Sequence, residues 1–217
     1  LYIADGHHRC KAASRAAAQL RSDASDSDAS FEFFPAVLFP MSNMDIMAYN
    51  RVVFDLPGTP GDFLDTLAEH VPVERNVSDP VPSAKGTVCL YVGGEWHRLT
   101  LPPSKGVRVV DQLDVARLGE YVLEPILDIR DPRRDPNIDF VGGIRGTSAL
   151  EQRVDDGEAE LAISMYPTSI EELVAVADEG SLMPPKSTWF EPKLRSGLLV
   201  HDFSEDVPAD ATVEPSV

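Results

Sequence analysis

Cysteine is almost missing from this 217-residue chain, which holds only Cys10 and Cys89. Two thiols cannot build a disulfide framework, and without a CxxC spacing they supply no zinc site. The sequence therefore predicts a reducing, cytoplasmic setting with neither zinc nor haem. Long apolar runs are missing as well. No stretch approaches the roughly 18 residues a membrane span requires, and no basic-then-apolar signal opens the chain, which predicts a soluble protein with no membrane partner. Basic charge is scarce: 19 Lys and Arg stand against 36 Asp and Glu, a formal charge of −17 at pH 7. Binding a nucleic-acid backbone needs the opposite sign, so no nucleic-acid partner is expected. Many of the acids lie in the Ser/Asp-rich stretch 22–30 and in the tail, so the imbalance reads as acidic loops rather than adaptation to salt.

What is present is ordinary for a globular protein, 43% hydrophobic residues, and long enough for one large domain or two small ones. Leu1 is not a methionine and already sits in an apolar run, so the natural protein is expected to begin well upstream.

The periodicities predict a mixed α and β chain. Leu1-Tyr2-Ile3-Ala4 reads as a strand end, Asp5-Gly6 as a turn, and Cys10 to Leu20 as an alanine-rich helix. After the low-complexity loop 22–30, Phe33 to Phe39 is a candidate buried strand. Asn50 to Leu56 reads as a strand. Thr59-Pro60-Gly61-Asp62 carries the cap, the proline and the early acid of a helix running to about His70. Thr87 to Val92 and Glu95 to Leu101 flank Gly93-Gly94, a two-residue hairpin signal.

Further along, Val115, Leu118, Tyr121 and Val122 share a helix face that Pro125 ends. Ile138 to Val141 predicts a strand, and Ser148 to Val154 a helix. The run Ala159 to Met165 is apolar at nearly every position, as in a strand covered on both faces. Ser169-x-x-Glu172 is a capping box for a helix ending at Gly180. Residues 181–195 have no period, Gly197 to His201 offers a last strand, and 204–217 reads as a disordered acidic tail.

Chemistry-bearing residues gather in four places. In Asp5-Gly6-His7-His8-Arg9 a glycine precedes a helix, so backbone amides and the macrodipole can face an anion while Arg9 adds a bidentate contact. His7 and His8 are acid–base candidates, and the competing account is a plain structural turn. The loop from Met183 to Leu194 holds two of the chain's five lysines, Lys186 and Lys193, beside the hydroxyls of Ser187 and Thr188 and a possible stacking wall of Trp189 and Phe190. The alternative is a packed proline loop with surface lysines. Gly142-Gly143 after a strand permits close backbone approach with Arg145 near any anion, or marks an ordinary turn. Asn50-Arg51 opens an apolar strand, where the arginine makes a rim salt bridge, the favoured account, or clamps a substrate. His97 reads as a cross-strand surface residue.

Two resemblances attach to these motifs. Ile3-Ala4-Asp5-Gly6-His7-His8-Arg9 followed by an alanine-rich helix resembles the phosphate-binding motif of the ParB/sulfiredoxin superfamily, which includes DNA-partition proteins, sulfiredoxins and kinases of free serine. Taken in order with Tyr49-Asn50-Arg51-Val52-Val53, Asp139-Phe140-x-Gly142-Gly143 and Lys186-Ser187-Thr188-Trp189-Phe190-x-Pro192-Lys193-Leu194, it resembles the DUF1015 proteins, whose function is undefined. One departure is Cys10, where an aromatic is more usual. The likeness spans residue 1 to about 203 and implies a missing N-terminal half. It implies an α+β fold: 1–56 as the remainder of a ParB/sulfiredoxin-like domain, 57–203 as an α+β domain of DUF1015 type, and 204–217 as tail.

These motifs together predict a phosphate- or nucleotide-binding small-molecule enzyme, such as a kinase of a hydroxyl-bearing metabolite like serine. Asp5, Gly6, Arg9, Arg145, Lys186, Ser187, Thr188 and Lys193 would contact phosphate, His7 and His8 would move protons, and Asn50, Arg51, Gly142 and Gly143 would meet the substrate. ATP or ADP with Mg²⁺ is the implied cofactor. In the serine-kinase relatives a catalytic acid precedes the motif, so the fragment alone is expected to be inactive. A non-catalytic nucleotide sensor and a small-molecule phosphatase remain the alternatives. The oligomeric state is not encoded in any motif.

Overall fold

The computed structural model describes residues 1–21, 29–195 and 197–203. They belong to two compact units, Leu1–Met44 with Pro192–Val217, and Asp45–Glu191. The architecture is mixed α+β.

In the first unit Gly6 adopts the left-handed conformation, φ 85°, and caps helix α1, His7–Leu20. Only a residue without a Cβ takes that turn at little cost, so the helix begins three residues earlier than the alanine run suggests. Helix α1 buries only Ala17 and Leu20, against Phe31 of a 3₁₀ turn at Ser30–Glu32. Arg21 closes the pair with a two-pronged bond to Glu32.

Three expected strands in this unit do not form. Leu1 to Ala4, Phe33 to Phe39 and Gly197 to His201 are irregular, and Phe33, Phe34, Val37 and Leu38 are exposed rather than buried. A strand must hand its backbone N–H and C=O groups to a neighbour, and among the described residues none pairs with these segments. Pro35 also removes a donor from the second of them. The expected loop at 22–28 and the tail at 204–217 lie outside the described residues.

The second unit is built on a six-stranded antiparallel sheet. Its elements in chain order are β1 Asp45–Met47, β2 Tyr49–Val53, α2 Pro60–His70, β3 Val73–Glu74, β4 Thr87–Val92, β5 Glu95–Thr100, α3 Asp114–Leu118, β6 Ile138–Gly142, α4 Ser148–Asp155, β7 Leu161–Met165, α5 Ile170–Asp178 and β8 Trp189–Glu191. The sheet order is β3-β5-β4-β7-β2-β6, and β1 pairs with β8 in a separate ribbon. Every residue of β7 is buried, as its unbroken apolar run requires of an interior strand with both faces covered. Gly93 and Gly94 both take positive φ at the β4–β5 hairpin.

One face of the sheet carries the larger core, in which Val53, Leu90, Leu99, Leu161 and Ile163 meet Phe63 and Leu67 of α2 and Leu118 and Val122. The opposite face packs Val52, Cys89, Trp96 and Ala162 against Leu150 of α4. Thr59 and Ser169 complete the capping boxes of α2 and α5. The predicted helix over 115–122 is α only to Leu118, then continues as a π turn over Gly119–Leu123 before Pro125. Asp114 and Arg117 anchor it from inside. Asp114 accepts from the Gly86 amide at 2.7 Å, while Arg117 pairs with Asp114 at 3.1 Å and donates to the carbonyls of Leu101 and Pro102. No helix among the described residues is long and apolar enough to cross a membrane.

His97 is not a surface residue. It is 3% exposed and lies opposite Leu90 of the larger core, where Nδ1 accepts the Asn76 amide at 3.4 Å and Nε2 finds no hydrogen-bond partner among the described residues. Burial pushes its pKa below the ordinary 6.5. The unfolded chain therefore binds a proton first as pH falls, so stability present above 6.5 is lost on acidification toward the lower folded value. Denaturant midpoints measured from neutral pH downward should decline in the wild type and decline less in His97→Leu.

Candidate functional site

In the second unit Tyr49, Arg51, Phe140 and Gly142 share one face of β2 and β6, because Tyr49 lies opposite Gly142 and Arg51 opposite Phe140. Arg51 is 3% exposed. The favoured rim salt bridge does not form: among the described residues no carboxylate pairs with it. Its guanidinium donates instead to the carbonyls of Tyr49 and, at 3.4 Å, Lys186. Burial drops its pKa to about 10, which still leaves it protonated at neutral pH. A desolvated cation with only neutral acceptors is poorly compensated, and an anion is the partner that would offset the cost.

Arg51 lines a pocket of about 350 Å³. Phe140 and the pair Pro184 and Pro185 form part of its wall, and Val115, Ala116 and Leu123 supply apolar surface. Gly119, Glu120 and Glu124 come from the π turn and the residue that closes it. Glu120 and Glu124 are four residues apart, the spacing that puts side chains on one side of a helical turn, and both line the pocket.

Lys186 adds a second cation. Its backbone is left-handed, φ 55°, which is uncommon for a side chain that long. Its ammonium lies 3.3 Å from the Tyr49 hydroxyl, 5.3 Å from the centre of that ring and 6.0 Å from the centre of Phe140. The Arg51 guanidinium lies 5.7 Å from the same Phe140 ring. Two cations thus flank one aromatic ring, and neither is in an ion pair with a described residue.

The remaining predicted residues of this unit have local partners. Asn50 is buried and its side-chain oxygen accepts the Met165 amide at 3.0 Å. The buried Ser187 hydroxyl donates to the Pro184 carbonyl at 2.7 Å, and the Ser187 carbonyl accepts from Thr168. These bonds shape the proline loop beside Arg51. Thr188 is half-buried, and Arg145 is exposed at the end of a 3₁₀ turn, Gly143–Arg145. The space a side chain would need at Gly142 is filled by the Trp189 ring, and at Gly143 by the Ala48 backbone. Tyr49 stands edge-on to both Trp189 and Phe140.

In the first unit the Asp5 to Arg9 motif opens α1. No side chain caps the helix and no acid stands in its first turn, so its first amides carry the positive end of the helix dipole. The Arg9 guanidinium folds back over Gly6, where a Cβ would meet it at 3.0 Å. Asp5 accepts the Gly6 amide at 2.8 Å, and Lys193 lies 3.6 Å from the other Asp5 oxygen. His7 and His8 are exposed. Lys193 is therefore brought to the motif within its own unit.

Sequence reasoning missed Glu120 and Glu124. The available signal was their i, i+4 spacing after Gly119 and just ahead of Pro125, but a π turn leaves no periodic mark over five residues.

A family model described as "Protein of unknown function (DUF1015)" matches residues 1–116. No curated protein matches. Among solved structures, a free serine kinase mutant in complex with AMP is similar at 13% identity and TM-score 0.46, over 87% of this chain and 66% of that one. A free serine kinase mutant in complex with ADP gives 15%, 0.45, 87% and 66%. A conserved hypothetical protein from Pyrococcus furiosus gives 15%, 0.46, 87% and 68%. The chain thus spans about two thirds of the length of these kinases. At such scores the likeness is loose and identifies neither a fold nor a ligand for this chain.

Because a Cβ on Gly142 would lie 2.6 Å from the Trp189 ring, Gly142→Ala should overpack the wall beside Tyr49 and lower stability by about 1–3 kcal/mol. Chemical denaturation should detect it, and Trp189→Leu in the same chain should recover most of the loss.

Proposed function

The chain belongs to the DUF1015 family of proteins of unknown function, and we propose that it is a phosphate- or nucleotide-binding enzyme transferring a phosphoryl group to a hydroxyl of a small metabolite. The observation that carries this proposal is Arg51, a buried guanidinium without a carboxylate partner among the described residues, lining a pocket of metabolite size. Phosphoryl transfer asks a protein mainly for positioning and for charge neutralisation. Arg51 and Lys186 supply the charge in the second unit, lying 5.7 and 6.0 Å from the centre of the Phe140 ring.

The first unit supplies another anion-binding feature. The uncapped start of α1, the Arg9 guanidinium and Lys193 suit a nucleotide phosphate, with His7 and His8 placed on the first turn as proton carriers. Gly6 is the residue that lets Arg9 lie so close to the backbone. Mg²⁺ fits this chemistry as a companion of the nucleotide. Among the described residues no group of three or more His, Cys, Asp or Glu could hold an ion alone, so phosphate oxygens and water would supply most of its ligands.

Calorimetric titration tests the reading with inorganic phosphate and with ADP. Arg51→Met should weaken phosphate binding by about tenfold to a hundredfold, the range for losing a charge-assisted hydrogen bond. The same variant should be no less stable than the wild type, since it removes a buried charge that lacks a counter-ion. Lys186→Ala should weaken phosphate, and Arg9→Ala should weaken ADP. Unchanged affinities in Arg51→Met would overturn the assignment of the pocket.

A further inference from the structure

The charges around the pocket suit a plain anion less well than an anion that also carries a positive group. Its lining carries one cation, Arg51, and two carboxylates, Glu120 and Glu124. The dianion of a phosphate ester placed against Arg51 would face both acids across a small, partly desolvated space, where like charges repel strongly. A ligand with a positive group beside its phosphate removes that conflict.

The two acids are not equivalent. Glu120 is held from behind: its carboxylate accepts the Ser104 hydroxyl at 2.6 Å and the Lys105 amide at 3.3 Å. Glu124 is exposed, and its carboxylate has no hydrogen bond or ion pair to a described residue. One acid is therefore fixed in the wall, while the other stands at the rim with its acceptor sites open.

We propose that the pocket selects small molecules carrying an ammonium group near the phosphate or near the hydroxyl that receives it, with Glu124 as the specificity-determining carboxylate. The inference rests on Arg51 as the phosphate contact. Phosphate lies on Arg51, the ammonium donates to Glu124 and Glu120, and the short carbon chain between them packs on Leu123 and Phe140.

The probes are aminoethyl phosphate and glycerol phosphate, similar in size and differing in the amine. Titrated into the whole chain, aminoethyl phosphate should bind about fivefold more tightly, the scale of a partly exposed ion pair. Glu124→Gln should abolish that preference and leave glycerol phosphate affinity unchanged or improved. The substitution is isosteric and exposed, and a matching thermal unfolding curve shows that the fold is kept. Equal binding of the two esters by the wild type overturns the ammonium preference and leaves the phosphate assignment standing. A preference that survives in Glu124→Gln overturns the role of that residue. Failure of both esters to bind overturns this inference and the Arg51 assignment together.

Discussion

A guanidinium taken out of water has to be surrounded by acceptors or meet an anion, and the wall of this pocket follows from how Arg51 resolves that demand. Strand β2 lies between β7 and β6, so any side chain on its inner face is buried by construction. Val53 answers that with apolar packing, but Arg51 cannot. Its donors reach the carbonyls of Tyr49 and Lys186, its guanidinium lies near the Phe140 ring, and Pro184 and Pro185 line the same pocket. The left-handed backbone of Lys186 belongs to the same solution, since that residue presents a carbonyl to Arg51 and an ammonium to Tyr49.

The opposite wall depends on a different buried charge, one that is compensated. Asp114 and Arg117 pair inside the unit and use their remaining valences on the Gly86 amide and the carbonyls of Leu101 and Pro102. That network ties the short helix α3 to the end of the β4–β5 hairpin. With its start fixed, the chain continues into the π turn that carries Glu120 and is closed by Glu124. The contrast is informative: the same residue type is neutralised by a neighbour at position 117 and has no carboxylate neighbour among the described residues at position 51.

Much of this framework is legible in the sequence because local chemistry and tertiary demand agree. The paired glycines at 93 and 94, the caps at Thr59 and Ser169, and the continuous apolar run of β7 each specify one local conformation, and each forms. The failures share a cause. Leu1 to Ala4, Phe33 to Phe39 and Gly197 to His201 have strand composition, but a strand is a property of a pair, and composition does not reveal whether a partner exists. His97 and Arg51 fail for a related reason: polarity suggested surface, while sheet order placed both inside. In the candidate site the sequence marked Arg51 and Lys186 through their motifs, but Glu120 and Glu124 reach the pocket only through the packing of their turn against β2 and β6, which no residue type announces.

The contact between Gly142 and Trp189 also bears on how such a chain can vary. A side chain at 142 needs the volume the indole already fills, and a smaller residue at 189 leaves a void beside Tyr49. Neither position is free to change first without a penalty, so a drift at one is tolerated chiefly when the other has already moved. Two residues forty-seven apart in sequence are thereby joined as a single heritable unit, and the spacing between Tyr49 and Phe140 that frames the cations is inherited with them.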